Sequence, residues 1–140
     1  MAELKLEDLS VGQSAERVHQ VSEADIEAFA AVSGDDNPLH LDEAFAATTP
    51  FKGRIAHGLL AASYISAVLG TQLPGPGSVY LSQSLRFRRP VRIGDAVTAR
   101  VSVAAIDADK GRVTLETVCL VGGKAVIEGE ATIMVERRGA

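Results

Sequence analysis

The sequence predicts an α+β fold in which a curled antiparallel sheet wraps around a long central apolar helix. Three observations lead there. Helical spacing is confined to the first half of the chain, and after Ser78 the apolar period falls to two. The segment from about His57 to Leu69 carries Leu59, Leu60, Ala61, Ala62, Ile65, Ala67, Val68 and Leu69 around its whole circumference, the mark of a buried helix. The strands that follow are joined by short turn-forming stretches, so they pair antiparallel. With 140 residues, 46% of them hydrophobic, a single domain over 1–140 with a true core is expected.

In chain order, residues 14–21 read as a short strand or extended lead-in. Ser22 starts a helix, capping the first amides, with Asp25 three positions on as a weak capping box. Ile26, Phe29, Ala30 and Ser33 keep helical spacing, and Gly34 is a fitting stop. Asp42 caps a second, short helix through Ala47, which Pro50-Phe51-Lys52-Gly53 ends. The long apolar helix follows and stops at Gly70; residues 73–77 form a loop. Four strands come next. Val79, Leu81, Leu85 and Phe87 alternate with polar residues, as do Val97, Ala99, Val101 and Val103. Val113, Leu115, Thr117 and Cys119 repeat the pattern, then Ile127, Ala131, Ile133 and Val135. Ile93-Gly94-Asp95, residues 107–111 and Gly122-Gly123 supply the turns.

A one-faced sheet and an all-round apolar helix need each other, and the sheet must curl around the helix to bury it. This is the hot-dog arrangement. One sheet covers only part of such a helix, so a second copy is expected to complete the burial in a homodimer.

Composition removes several classes of function. A net charge of −4 gives no support to a nucleic-acid or anionic-membrane partner. The one basic cluster, Arg86, Arg88, Arg89 and Arg92, reads as a solvated strand edge. Cys119 is the single cysteine, which rules out an intramolecular disulfide and a Cys-rich metal site; inside an apolar run it reads as a buried small hydrophobe. The acidic N-terminal residues do not form a secretory signal, and residues 55–69 are too short and too interrupted to span a bilayer. A cytoplasmic protein is expected.

The chemistry concentrates in Gly34-Asp35-Asp36-Asn37-Pro38-Leu39-His40. Gly, Asn and Pro exclude a regular helix there, and Asp35 and His40 can share one water only if the backbone folds between them. The plain alternative is a loop that ends one helix and satisfies its own amides. His57-Gly58 then opens the apolar helix, whose N-terminus offers unpaired N–H groups and partial positive charge. An acid–base pair beside an exposed helix start suits water addition to an activated carbonyl compound. Gly58 alternatively serves only close packing. His19 lies alone in the lead-in, and no histidine pair has metal-ligand spacing with a carboxylate, so no metal is expected. Gly75-Pro76-Gly77 lacks the lysine and helix of a phosphate loop, and Ser63 and Ser66 lack a nucleophile-elbow context.

The run from Gly34 to His40, continued by Leu41-Asp42-Glu43-Ala44-Phe45-Ala46, resembles the hydratase signature G-D-x-N-P-(aliphatic)-H of MaoC-like dehydratases and (R)-specific enoyl-CoA hydratases. The likeness extends through Thr48-Thr49-Pro50-Phe51, residues 54–60 and 72–75, residues 84–91 and Gly94-Asp95, covering roughly 10 to 136. It implies a hot-dog dimer with sites at the subunit interface and a CoA or carrier-protein thioester as substrate. Asp35 and His40 become the catalytic pair that activates water, Asn37 shapes the loop, and the Gly58 N–H binds the thioester oxygen. His57 is a lesser substrate-side candidate, and Ser66 and Leu69 form the floor of the acyl pocket. Cations for CoA phosphates would come from the Arg86–Arg92 cluster or from Lys52 and Arg54. The implied activity is cofactor-free interconversion of trans-2-enoyl-CoA and (R)-3-hydroxyacyl-CoA. Its alternatives are the 3-hydroxyacyl-[acyl-carrier-protein] dehydratase reaction, a thioesterase, and a non-catalytic acyl-CoA-binding subunit. Polyhydroxyalkanoate monomer supply, β-oxidation and degradation of unusual acids are all compatible pathways.

Overall fold

Local capping chemistry places the helices. In the computed structural model, which describes residues 3–139, β1 (Ser14–Gln20) leads into α1 (Glu23–Ser33). Ser22 Oγ accepts from Asp25 N at 3.1 Å while Asp25 Oδ2 accepts from Ser22 N at 3.0 Å, a reciprocal capping box. Gly34 ends α1 at φ 83°, a left-handed position that only glycine takes cheaply, and its amide bonds Ala30 O.

The next segment departs from expectation. Pro38–Leu41 forms a one-turn helix, α2, with Asn37 Oδ1 accepting from Leu39 N at 3.0 Å. Proline at the first helical position has no N–H to lose and a φ already set for helix, so it starts this turn rather than excluding it. α3 (Glu43–Ala47) follows, capped by Asp42, and α4 (Gly58–Thr71) is the long apolar helix, with His57 as its N-cap.

β2 (Val79–Phe87), β3 (Ala96–Asp107), β4 (Arg112–Val121) and β5 (Lys124–Met134) join β1 in one sheet of order β1-β3-β4-β5-β2, every pair antiparallel. The lead-in is therefore a true edge strand, bonded to β3, and the sheet has five strands. It curls around α4, which packs on β1, β3 and β4. Leu60, Ala61, Ile65, Val68 and Leu69 meet Val97, Val101, Val113, Leu115, Ile127 and Ile133 in the core. Cys119 also lies there with its Sγ toward Ala61 O, and burial pushes its thiol up to about 12.

One expectation is corrected. His19 is not isolated: its Nε2 lies 2.9 Å from Asp25 Oδ2, and its ring stacks on Tyr64 at 4.3 Å, contacts made by chain folding and invisible to spacing. The bonded histidine helps hold Asp25 below the usual carboxylate range. The single chain encloses Leu60, Ala61, Tyr64, Ile65, Val68 and Leu69 of α4, while Leu59 on the same helix stays 59% exposed. Uncovered apolar surface also lies at Val11, Val18 and Val32, and on edge strand β2, where Val79, Tyr80, Leu81 and Phe87 are 41–55% exposed. Among the described residues no helix is long and apolar enough to cross a membrane.

Candidate active site

The left-handed turn at Gly34 carries the chain off α1, and α2 then returns it, so residues separated in sequence meet above the start of α4. Asp35, His40 and His57 place ligating atoms within 4.8 Å of one another. The two carboxylate–imidazole partners expected from the motif are thus adjacent, as sharing one water requires.

Each member is held by the backbone. Nδ1–H of His40 donates to Ile55 O at 2.7 Å. The main-chain carbonyl of His40 accepts from Arg54 Nε at 2.7 Å, while Arg54 Nη1 reaches Glu23 Oε1 on α1 at 2.8 Å. Asp35 Oδ1 accepts from Asn37 N at 3.3 Å, and its amide bonds Ser33 Oγ at 3.1 Å. His57 Nε2–H donates to the main-chain carbonyl of Asp35 at 2.8 Å. Its ring lies between Phe29 and His40, with centroids 4.8 Å and 4.0 Å away. Asp35 itself is exposed, whereas His40 and His57 are buried.

The trio is where the spacing argument failed: His57 joins Asp35 across 22 positions, too far for any local pattern. By distance the three could surround a cation. Two of the ring nitrogens are already committed, however: His57 Nε2 bonds the Asp35 main-chain carbonyl at 2.8 Å and His40 Nδ1 the Ile55 carbonyl at 2.7 Å.

A cavity of about 410 Å3 opens here, with Asp35, His40, His57 and Gly58 on one side and Phe51, Phe87, Arg88 and Arg89 among its other walls. No side chain caps the start of α4; Leu60 N and Ala61 N bond His57 O, which leaves the amides of Gly58 and Leu59, both cavity-lining residues, without a helical acceptor. A Cβ at position 58 would lie 2.5 Å from Phe87 Cε1, so close packing and open backbone both require glycine there. Chemically, the arrangement can hold a water between carboxylate and imidazole and present backbone N–H groups to a developing oxyanion.

The remaining expected residues fall elsewhere. Asn37 caps α2 and braces Asp35 through its own amide, outside the cavity wall. Of α4, Gly58, Leu59 and Ala61 line the cavity; Leu69 is in the core and Ser66 is exposed on the helix, so neither lines it in the single chain. Arg54 is engaged by Glu23 and His40. The arginine cluster divides: Arg88 and Arg89 line the cavity, Arg88 bonding Glu128 at 3.1 Å, while Arg92 donates to Phe51 O at 2.6 Å. Phe87 and the Arg54 brace were not foreseen. Phe87 had only its strand alternation to show, and nothing local marks Arg54.

Known proteins share this plan. The chain is 58% identical over 133 residues to an (R)-specific enoyl-CoA hydratase of Rhodospirillum rubrum, covering 95% of this chain and 92% of that one. It is 51% identical over 135 residues to a 3-hydroxybutyryl-CoA dehydratase of Methylorubrum extorquens, covering 96% and 86%. The solved structure of an (R)-hydratase of Aeromonas caviae involved in PHA biosynthesis superimposes with a TM-score of 0.90 at 51% identity, covering 92% of this chain and 98% of that one. The MaoC like domain matches residues 9–128. On sequence and fold, the chain belongs to the MaoC-like dehydratase family.

Proposed function

We propose that the protein hydrates trans-2-enoyl-CoA to (R)-3-hydroxyacyl-CoA, reversibly and without a cofactor. The observation that carries the proposal is the adjacency of Asp35 and His40 in a cavity that also holds the uncapped start of α4. Asp35 and His40 take a proton from water as its oxygen bonds to C3. The π electrons of the C2–C3 bond move toward the thioester oxygen, where the Gly58 N–H and the positive end of α4 stabilise the enolate. The pair then returns a proton to C2, so one water adds and nothing is oxidised or reduced. The CoA thioester is favoured over the carrier-protein thioester because the two relatives above are named for CoA substrates.

The working form is a homodimer, with the whole chain as one domain. An uncovered apolar edge on β2 invites pairing with another copy, and Phe87, at the end of that strand, is also a cavity wall. A partner there would adjoin the site. A cytoplasmic location suits a CoA-dependent reaction. Purified protein should bleach the enoyl absorbance of crotonyl-CoA, and chiral analysis should return the (R)-alcohol; an inert protein, or (S)-product, refutes the reading.

A further inference from the structure

His57 is the N-cap residue of α4, yet its side chain caps nothing. Its ring turns away from the helix, packs between Phe29 and His40, and spends Nε2–H on the main-chain carbonyl of Asp35 at 2.8 Å. A residue that forgoes a local stabilising role for a distant bond marks a site where function overrides propensity. The ring is 2% exposed and its Nδ1 is buried without a partner, so very little of it is presented to a ligand.

What the bond connects is informative. The other hydrogen bonds that hold Asp35 come from Ser33 and Asn37, both within two residues of it, and they shape the loop without attaching it to the rest of the protein. Asp35 is otherwise exposed. The peptide linking His57 to Gly58 supplies the very N–H that would meet the thioester oxygen. One residue therefore ties the backbone of the water-activating Asp35 to the oxyanion amide, with its ring setting the spacing between them and packing beside His40.

We infer that His57 is a positioning residue: it fixes Asp35 and His40 relative to the Gly58 amide and does not itself touch the reacting atoms. The inference rests on the hydratase reading of Asp35 and His40. A carbonyl only accepts, so Nε2 must carry the proton and the ring acts as a fixed donor throughout.

Three variants separate this role from a contact with substrate. In His57→Gln the amide nitrogen falls near the place of Nε2; in His57→Asn it is too short to reach Asp35; His57→Phe keeps a ring between Phe29 and His40 and loses the donor. The Asn and Phe variants should lower kcat about 10²-fold, the loss that follows a misplacement of about 1 Å, with KM little changed, and Gln should recover most of it. Hydrogen exchange without substrate should show faster exchange over residues 33–40 in the Asn and Phe variants than in wild type or Gln. If the Phe variant fails to fold, the Asn and Gln variants, alike in polarity, carry the comparison. Equal damage by Gln and Asn, a loss confined to KM, or unchanged exchange would overturn the inference. Wild-type protein inert on enoyl thioesters, but with the same exchange pattern, would overturn the hydratase reading and leave the tether standing.

Discussion

Nδ1 of His40 donates to the main-chain carbonyl of Ile55 at 2.7 Å, and that bond decides which nitrogen is left to react. A carbonyl cannot donate, so the neutral ring keeps its proton on Nδ1 and its lone pair on Nε2. Asp35→Ala and His40→Ala should each lower kcat/KM for crotonyl-CoA by about 10²–10⁴-fold with folding intact. Near-wild-type turnover in either folded variant removes that residue from the mechanism.

Gly58 and Phe87 form a second testable couple. Gly58→Ala drives a methyl to 2.5 Å from the Phe87 ring and should cost about 1–3 kcal/mol of stability by overpacking. It should also depress hydration, since the methyl crowds the amide that meets the thioester. Adding Phe87→Ala should restore the melting temperature but not the rate. Recovery of both would mean that glycine is there for packing alone.

The β2 edge makes the oligomer testable by one charge. The native protein should sediment as a dimer at micromolar concentration with an interface above about 1,000 Å2. Leu81→Lys, which places a charge among Val79, Tyr80 and Phe87, should shift the mass toward monomer. A wild-type monomer with full activity would contradict the proposal.

Arg88 and Arg89 are the cations at the cavity wall, while Arg54 is spent on Glu23 and His40. Neutralising both should raise KM for CoA substrates and leave kcat nearly constant, and added salt should weaken wild-type binding. An unchanged KM would return them to the status of a solvated edge.

Leu69 tests the path of the acyl chain. The cavity reaches α4 only at Gly58, Leu59 and Ala61, so short enoyl chains should be preferred. Because Leu69 is enclosed in the core and does not line the cavity, Leu69→Ala should leave the ratio of kcat/KM for eight-carbon enoyl-CoA to that for crotonyl-CoA unchanged. A rise in that ratio, at about 0.8 kcal/mol per newly buried CH2, would show that the tail reaches it. An equal loss on both, with the drop of about 2–5 kcal/mol typical of a core truncation, would make it packing only.

What could be read in the sequence was local or periodic. Ser22 with Asp25, Gly34, and Asp42 each announce a helix end within four residues, and the two-residue alternation of Val97 to Val103 and Val113 to Cys119 reports which face meets α4. The Asp35–His40 pair was legible because the fold that joins them lies inside one motif. The α2 turn was misread as non-helical, although Asn before Pro is also a cap followed by a first-turn residue. His57 beside Asp35, His19 beside Tyr64, and Phe87 over Gly58 are products of tertiary packing, and no spacing encodes them. The helix pattern also said how apolar α4 is without saying that Leu59 would stay exposed while Leu60 and Ala61 are enclosed.

Cys119 gives the protein an unusual convenience at the bench. Its sulfur is wholly enclosed and its thiol is held up to about 12 by burial, so the reactive thiolate is scarce and unreachable in the folded chain. Free CoA released by a contaminating or intrinsic thioesterase would therefore register with a disulfide dye against a silent protein background. Hydrolysis and hydration can be told apart in one cuvette. Once the dye begins to titrate one equivalent per chain, it is counting molecules that have opened their cores.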